Sequence, residues 1–86
     1  MIKERWVTHI DDARYEVISR NDPISNSGEI LVNGEIIRRW KNSFWSGLPE
    51  SFSVGGKKAI LLKRSFALNR HELIIEGKKI RRAPKA

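Results

Sequence analysis

Two twelve-residue strings in this 86-residue chain echo one another, and that echo limits its possible folds more than any other feature. Residues 29–40 read EILVNGEIIRRW and residues 72–83 read ELIIEGKKIRRA, an offset of 43. Five positions are identical: Glu29/Glu72, Gly34/Gly77, Ile37/Ile80, Arg38/Arg81 and Arg39/Arg82. Three more exchange one aliphatic for another: Ile30/Leu73, Leu31/Ile74 and Val32/Ile75. Upstream, Ile10-Asp11-Asp12 falls opposite Val54-Gly55-Gly56 at an offset of 44, and Val17 falls opposite Leu61. Each half therefore reads as two consecutive hairpins, with pseudo-repeats over about 5–43 and 50–83 and a short basic tail at 83–86.

The apolar pattern within each half runs at period two rather than 3.6, which is the signature of half-buried strands. Trp6, Thr8 and Ile10 alternate with Val7 and His9, and Asp11-Asp12 follows as a turn. Asn33-Gly34 and Gly55-Gly56 stand between β-rich runs, where a type I′ turn needs positive φ at both central positions. A polar break is expected at 21–28, and loops at 41–51 and 65–69. No long amphipathic helix is present. A four-strand half has one apolar face and must bury it against its twin. The expected fold is all-β: a single-domain antiparallel β-sandwich of about eight short strands, in two pseudo-repeated four-strand halves.

Composition excludes several classes. Three Trp, three Phe and one Tyr accompany abundant aliphatics, so the chain carries enough apolar mass to fold. There is no Cys, hence no disulfide and no thiolate metal site. The longest apolar run is Ala59-Ile60-Leu61-Leu62, far below the ~20 residues of a membrane helix. The first residues lack the apolar stretch of a secretory signal, and the expected location is cytoplasmic.

The formal net charge is +7, and it is unevenly placed. Residues 44–86 hold ten Lys and Arg against three Glu, so the first half is balanced. A one-sided field of this kind attracts phosphate backbones and other polyanions. Lys78, Lys79, Arg81 and Arg82 are the candidate contacts for weak, sequence-independent polyanion binding. The leading reading of the same charges is a solvated surface that guards the sheet edges against aggregation. Phe66 is the only aromatic after Phe52, so base-stacking groups are sparse among the basic strands. Trp40, Phe44 and Trp45 form an aromatic segment that either caps one open end of the sandwich or offers a protein contact surface. Strict alternation places Ile36, Arg38 and Trp40 on one face and Ile37 and Arg39 on the other; the face matching the first carries Lys79, Arg81 and Ala83 in the second half, so Ile37/Ile80 is the expected core position.

Signs of catalysis are weak. His9 and His71 fall within expected strands, and His71 adjoins Glu72, which points to the opposite face. Neither a nucleophile elbow nor the oxygen-ligand spacing of a calcium loop occurs. Gly55-Gly56-Lys57-Lys58 lacks the rest of a phosphate-cradling loop and reads as a hairpin turn. The expectation is a non-enzymatic protein with no cofactor and no metal.

The spaced pattern Trp6…Ser27-Gly28…Val32-Asn33-Gly34…Arg39-Trp40…Phe52-Ser53-Val54-Gly55…Leu73-Ile74-Ile75-Glu76-Gly77…Ile80 resembles the Fas apoptotic inhibitory molecule family. The match runs from about Trp6 to Arg82, with Asn33 and Glu76 standing where the family commonly places Asp. The resemblance implies an antiparallel β-sandwich without enzymatic activity. Animal members look like cytosolic two-domain proteins tied to restraint of death-receptor signalling and to protection against aggregation. Only one domain's worth of chain is present here, and shared fold does not carry shared function. The expected role is thus a protein-interaction or scaffold module with a protein partner. The alternative is a small basic nucleic-acid-binding β domain, and a third reading is an enzyme fragment that works only in a complex.

Overall fold

Eight strands follow one another along the chain with no helix among the described residues: β1 (Ile2–Ile10), β2 (Ala13–Asp22), β3 (Ser27–Val32), β4 (Glu35–Trp40), β5 (Glu50–Val54), β6 (Lys57–Ser65), β7 (Arg70–Ile75) and β8 (Lys78–Ile80). The computed structural model describes residues 2–22, 24–25, 27–41, 50–65 and 70–83, and for 50, 63–65 and 70 the backbone alone. The first four strands form one antiparallel meander, β1-β2-β3-β4, and the last four form another, β5-β6-β7-β8. This is the expected β-sandwich of two four-strand halves.

The repeat is visible in the turns. Asp11-Asp12, Asn33-Gly34, Gly55-Gly56 and Glu76-Gly77 all have positive φ at both central positions. Each joins its strands as a two-residue turn whose twist matches the flanking strands. Gly34 and Gly77 have φ of +83° and +78°, and a Cβ at either would meet nothing within 4 Å. A side chain there would fit the space and strain only the backbone. We therefore expect Gly34→Val and Gly77→Val each to cost about 1–3 kcal/mol, in similar amounts, by chemical denaturation. A change within about 0.5 kcal/mol, the usual surface value, would argue against the turn geometry.

Alternation builds the core. Trp6, Val17 and Ile30 from the first sheet pack against Phe52, Val54, Ala59, Leu61, Leu73 and Ile75 from the second. Ile37 and Ile80, identical in the repeat, both pack against this core from the edge strands.

Four local expectations need correction. Asn21 and Asp22 do not break the chain but continue β2, pairing with Gly28 and Ser27. Glu50 and Ser51 belong to β5 rather than to the preceding loop. Ser65 completes β6. The fourth concerns faces. A register shift makes Ile30 pair with Arg38 while Leu31 pairs with Ile36, leaving Ile37 as an extra residue. That bulge resets the alternation. Ile37 and Trp40 consequently both turn to the core, where strict period two would have put them on opposite faces.

Candidate functional site

Glu4, Trp6, Thr8 and Ile10 share one phase of β1, and that phase faces the core. A carboxylate at Glu4 therefore enters the sandwich, where it is 4% exposed. A buried charge is tolerable only if partnered. Its partners come from the other end of the chain. His71 Nδ1 lies 2.6 Å from Glu4 Oε1, and the His71 backbone N–H donates to Oε2 at 3.0 Å. Arg82 donates to the same Oε2 at 2.6 Å and to the His71 carbonyl at 3.2 Å. An ionised carboxylate can only accept, so with Glu4 ionised the Nδ1 atom carries the hydrogen.

The Arg82 guanidinium also lies 6.0 Å from the centroid of the Trp6 ring. Beside it the sheets are stitched by backbone: Trp6 and Arg82 form an antiparallel bridge, and Ala83 N–H donates to Arg5 O at 2.8 Å. The cluster thus joins β1 of the first half to β7 and the end of the second. An acid–His pair is also the orienting half of a nucleophilic triad. Ser19 pairs with Glu4 in register, but it is 0% exposed and its Oγ has no partner among the described residues. The hydrogen bonds of this cluster join the two sheets.

The four candidate basic residues divide into two pairs. Lys79 forms an ion pair with Glu72 at 2.9 Å, and Arg82 is bound to Glu4. Lys78 and Arg81 are exposed, with no ion pair among the described residues. An open cleft of about 590 Å³ runs past Trp6, His71, Glu72, Lys79, Ile80, Arg81 and Arg82.

The first half has a matching cleft of about 500 Å³, lined by Arg20, Ser27, Gly28, Glu29, Arg39, Trp40 and Lys41. Trp40 pairs with Gly28 across β3 and β4. A Cβ on Gly28 would sit 2.3 Å from the Trp40 ring, so the bare backbone is what seats the indole. Glu29 is ion-paired with Arg20 and lies 3.5 Å from Arg39 Nε. Of the expected aromatic group, Trp40 packs on the core, while Phe44 and Trp45 lie outside the described residues.

Outward-facing residues of the first sheet fall into rows across the strands, since cross-strand partners share a face. One row is charged: Lys3, Arg20, Glu29 and Arg39. The next is Arg5, Ile18, Leu31 and Ile36, apolar from Ile18 onward, in which Leu31 is buried and Ile36 is 39% exposed. At the β1 end of that row, Arg5 Nε lies 2.6 Å from Glu16, and this hydrogen bond holds the Glu16 carboxyl below the usual carboxylate range. The equivalent of Ile36 in the second half is Lys79, so only one sheet carries its apolar row out to the edge strand.

Comparison with known proteins adds nothing to this geometry: no family model, curated protein or solved structure matches the chain.

Proposed function

We propose that this protein is a non-enzymatic interaction module that binds a protein partner through the outer face of its first sheet. The observation that carries the reading is the Ile18–Leu31–Ile36 row, which leaves an isoleucine exposed beside a row holding three cations and one acid. Apolar side chains rimmed by charge are the usual anatomy of a contact surface. The excess of positive charge in that rim, and in the whole chain, favours a partner with an acidic rim around an apolar centre. The acid–His pair lends itself less to catalysis, because Glu4 and His71 are spent on each other and buried. Kinship with the Fas apoptotic inhibitory molecule family is part of the same proposal.

A second reading, weak polyanion binding, has its own support in Lys78 and Arg81, which are exposed and unpaired among the described residues. The two are separated by affinity capture from native lysate, with and without nuclease, using the unaltered chain and Ile36→Glu. Ile36 is at the surface, so the substitution should change stability by no more than about 0.5 kcal/mol. A protein retained after nuclease and lost with Ile36→Glu is the expected result. Captures that vanish with nuclease and ignore Ile36→Glu would replace the first reading with the second.

A further inference from the structure

The cleft at the end of β2, β3 and β4 differs from its twin in one respect that decides what each can hold. Both are lined by cations, but the twin's tryptophan, Trp6, is 1% exposed and already committed to the core and to Arg82. Trp40 is half-buried, rests on Gly28, and contributes to the wall of its cleft. Flanking it are Arg39, whose side chain is 71% exposed, and Lys41, exposed with no ion pair among the described residues. Arg20 and Arg39 flank Glu29, so a single carboxylate answers two guanidinium groups and leaves the cleft positive.

A flat apolar wall beside uncompensated cations suits a ligand that is itself a flat ring attached to an anion. A cleft of about 500 Å³ is of the size that holds small ligands. An acidic peptide would use the cations and leave the indole unoccupied. A bare phosphate would do the same. We propose that this cleft binds a nucleoside phosphate unit, with the base laid against Trp40 and the phosphate held by Arg39 and Lys41. This goes beyond the protein-binding reading: it shares the rim residues Arg20, Glu29 and Arg39 with that reading but does not use Ile36. Ile36→Glu should therefore leave it intact.

The test measures fluorescence anisotropy of a short labelled oligothymidylate against the same backbone made abasic, at low and moderate salt. Stacking of one base on an aromatic ring strengthens binding by roughly five- to 150-fold. We expect the oligothymidylate to bind tighter than the abasic strand by at least the lower of these. Trp40→Phe keeps a ring and should keep the preference, whereas Trp40→Leu should abolish it. Because Trp40 also packs on the core, melts of both variants accompany the titrations. The double substitution Arg39→Ala and Lys41→Ala, on exposed side chains, reads the site without that risk. It should weaken both probes alike and flatten the salt dependence. Thymidine monophosphate should compete: weakly if the natural ligand is a strand, and as well as the oligomer if it is a free nucleotide. Equal binding of the abasic and thymidylate strands would overturn the proposal. So would unchanged affinity in the double variant, or failure of the mononucleotide to compete.

Discussion

Replacing Glu4 with alanine is expected to destabilise the protein by about 3 kcal/mol, and replacing Arg82 with alanine by only about 1 kcal/mol. The asymmetry follows from what each change leaves behind. Without Glu4, the His71 backbone N–H and the Nδ1–H lose their acceptor in a position 8% exposed. Removing one partner of a buried ionic pair commonly costs about 3–5 kcal/mol, because the remaining group stays desolvated. The lower end applies here because the Arg82 side chain is 42% exposed and recovers water when its partner goes. Without Arg82, by contrast, Glu4 keeps both hydrogen bonds from His71. Glu4→Gln should fall between, since an amide oxygen still accepts one of them. Urea titrations followed by circular dichroism give all three values. Equal losses for Glu4→Ala and Arg82→Ala would show that the cluster is held by its solvent-facing member, contrary to this account.

The hairpins of this fold are legible because their causes are local. A two-residue I′ turn needs particular residues at two adjacent positions, and Asn33-Gly34, Gly55-Gly56 and Glu76-Gly77 each supply a glycine at the second. The identities in the repeat also find distinct reasons. Gly34 and Gly77 close turns, and Ile37 and Ile80 pack on the core. Glu29 and Glu72 each hold neighbouring cations on an outer face. Arg39 and Arg82 share a letter but not a task. Arg39 approaches Glu29 on the outside, and Arg82 reaches Glu4 within. That divergence has no local cause, since Glu4 belongs to the opposite sheet and a different repeat.

Two features stay hidden for a physical reason. The bulge at Ile37 adds one residue to one strand, and a run such as Ile36-Ile37 satisfies either phase of alternation equally well. The twin residues Lys79 and Ile80 already point Ile37 inward, and what only the pairing with β3 adds is that Trp40 faces in beside it. The Glu4–His71–Arg82 cluster joins residues 67 and 78 positions apart, so no motif announces it. One signal was nonetheless present: Glu4 occupies the same strand phase as Trp6 and Ile10, and His71 the same phase as Leu73 and Ile75. A charged or polar residue on an apolar phase implies a buried partner. The twin positions make a related point. Gly28 and Trp40 in the first half stand where the second has His71 and Ala83, exchanging small for large across the pair. The first half fills this position with an indole, whereas in the second His71 and Arg82 reach across to Glu4.

Trp6→Ala should be the most damaging single change to the core, at about 3–5 kcal/mol. The ring is the largest of the fully buried side chains, and Trp6 pairs with Val17 at the centre of the β1–β2 ladder. Its removal opens a cavity between two sheets that are each already paired along their strands, so neither can collapse to fill it. The loss is large against a total stability of roughly 4–13 kcal/mol for a chain of this length. Trp6→Phe leaves a smaller void and should cost about 1–2 kcal/mol. Arg82 adds a second consequence. Its guanidinium both caps the Trp6 ring and bonds to Glu4, so the effects of Trp6→Phe and Arg82→Ala should fail to add. A double-mutant cycle on these two, read from urea midpoints at constant slope, gives the coupling directly. Strict additivity would mean that the ring and the ionic cluster act independently, and that the seam between β1 and the end of the chain is held by its backbone bridge alone.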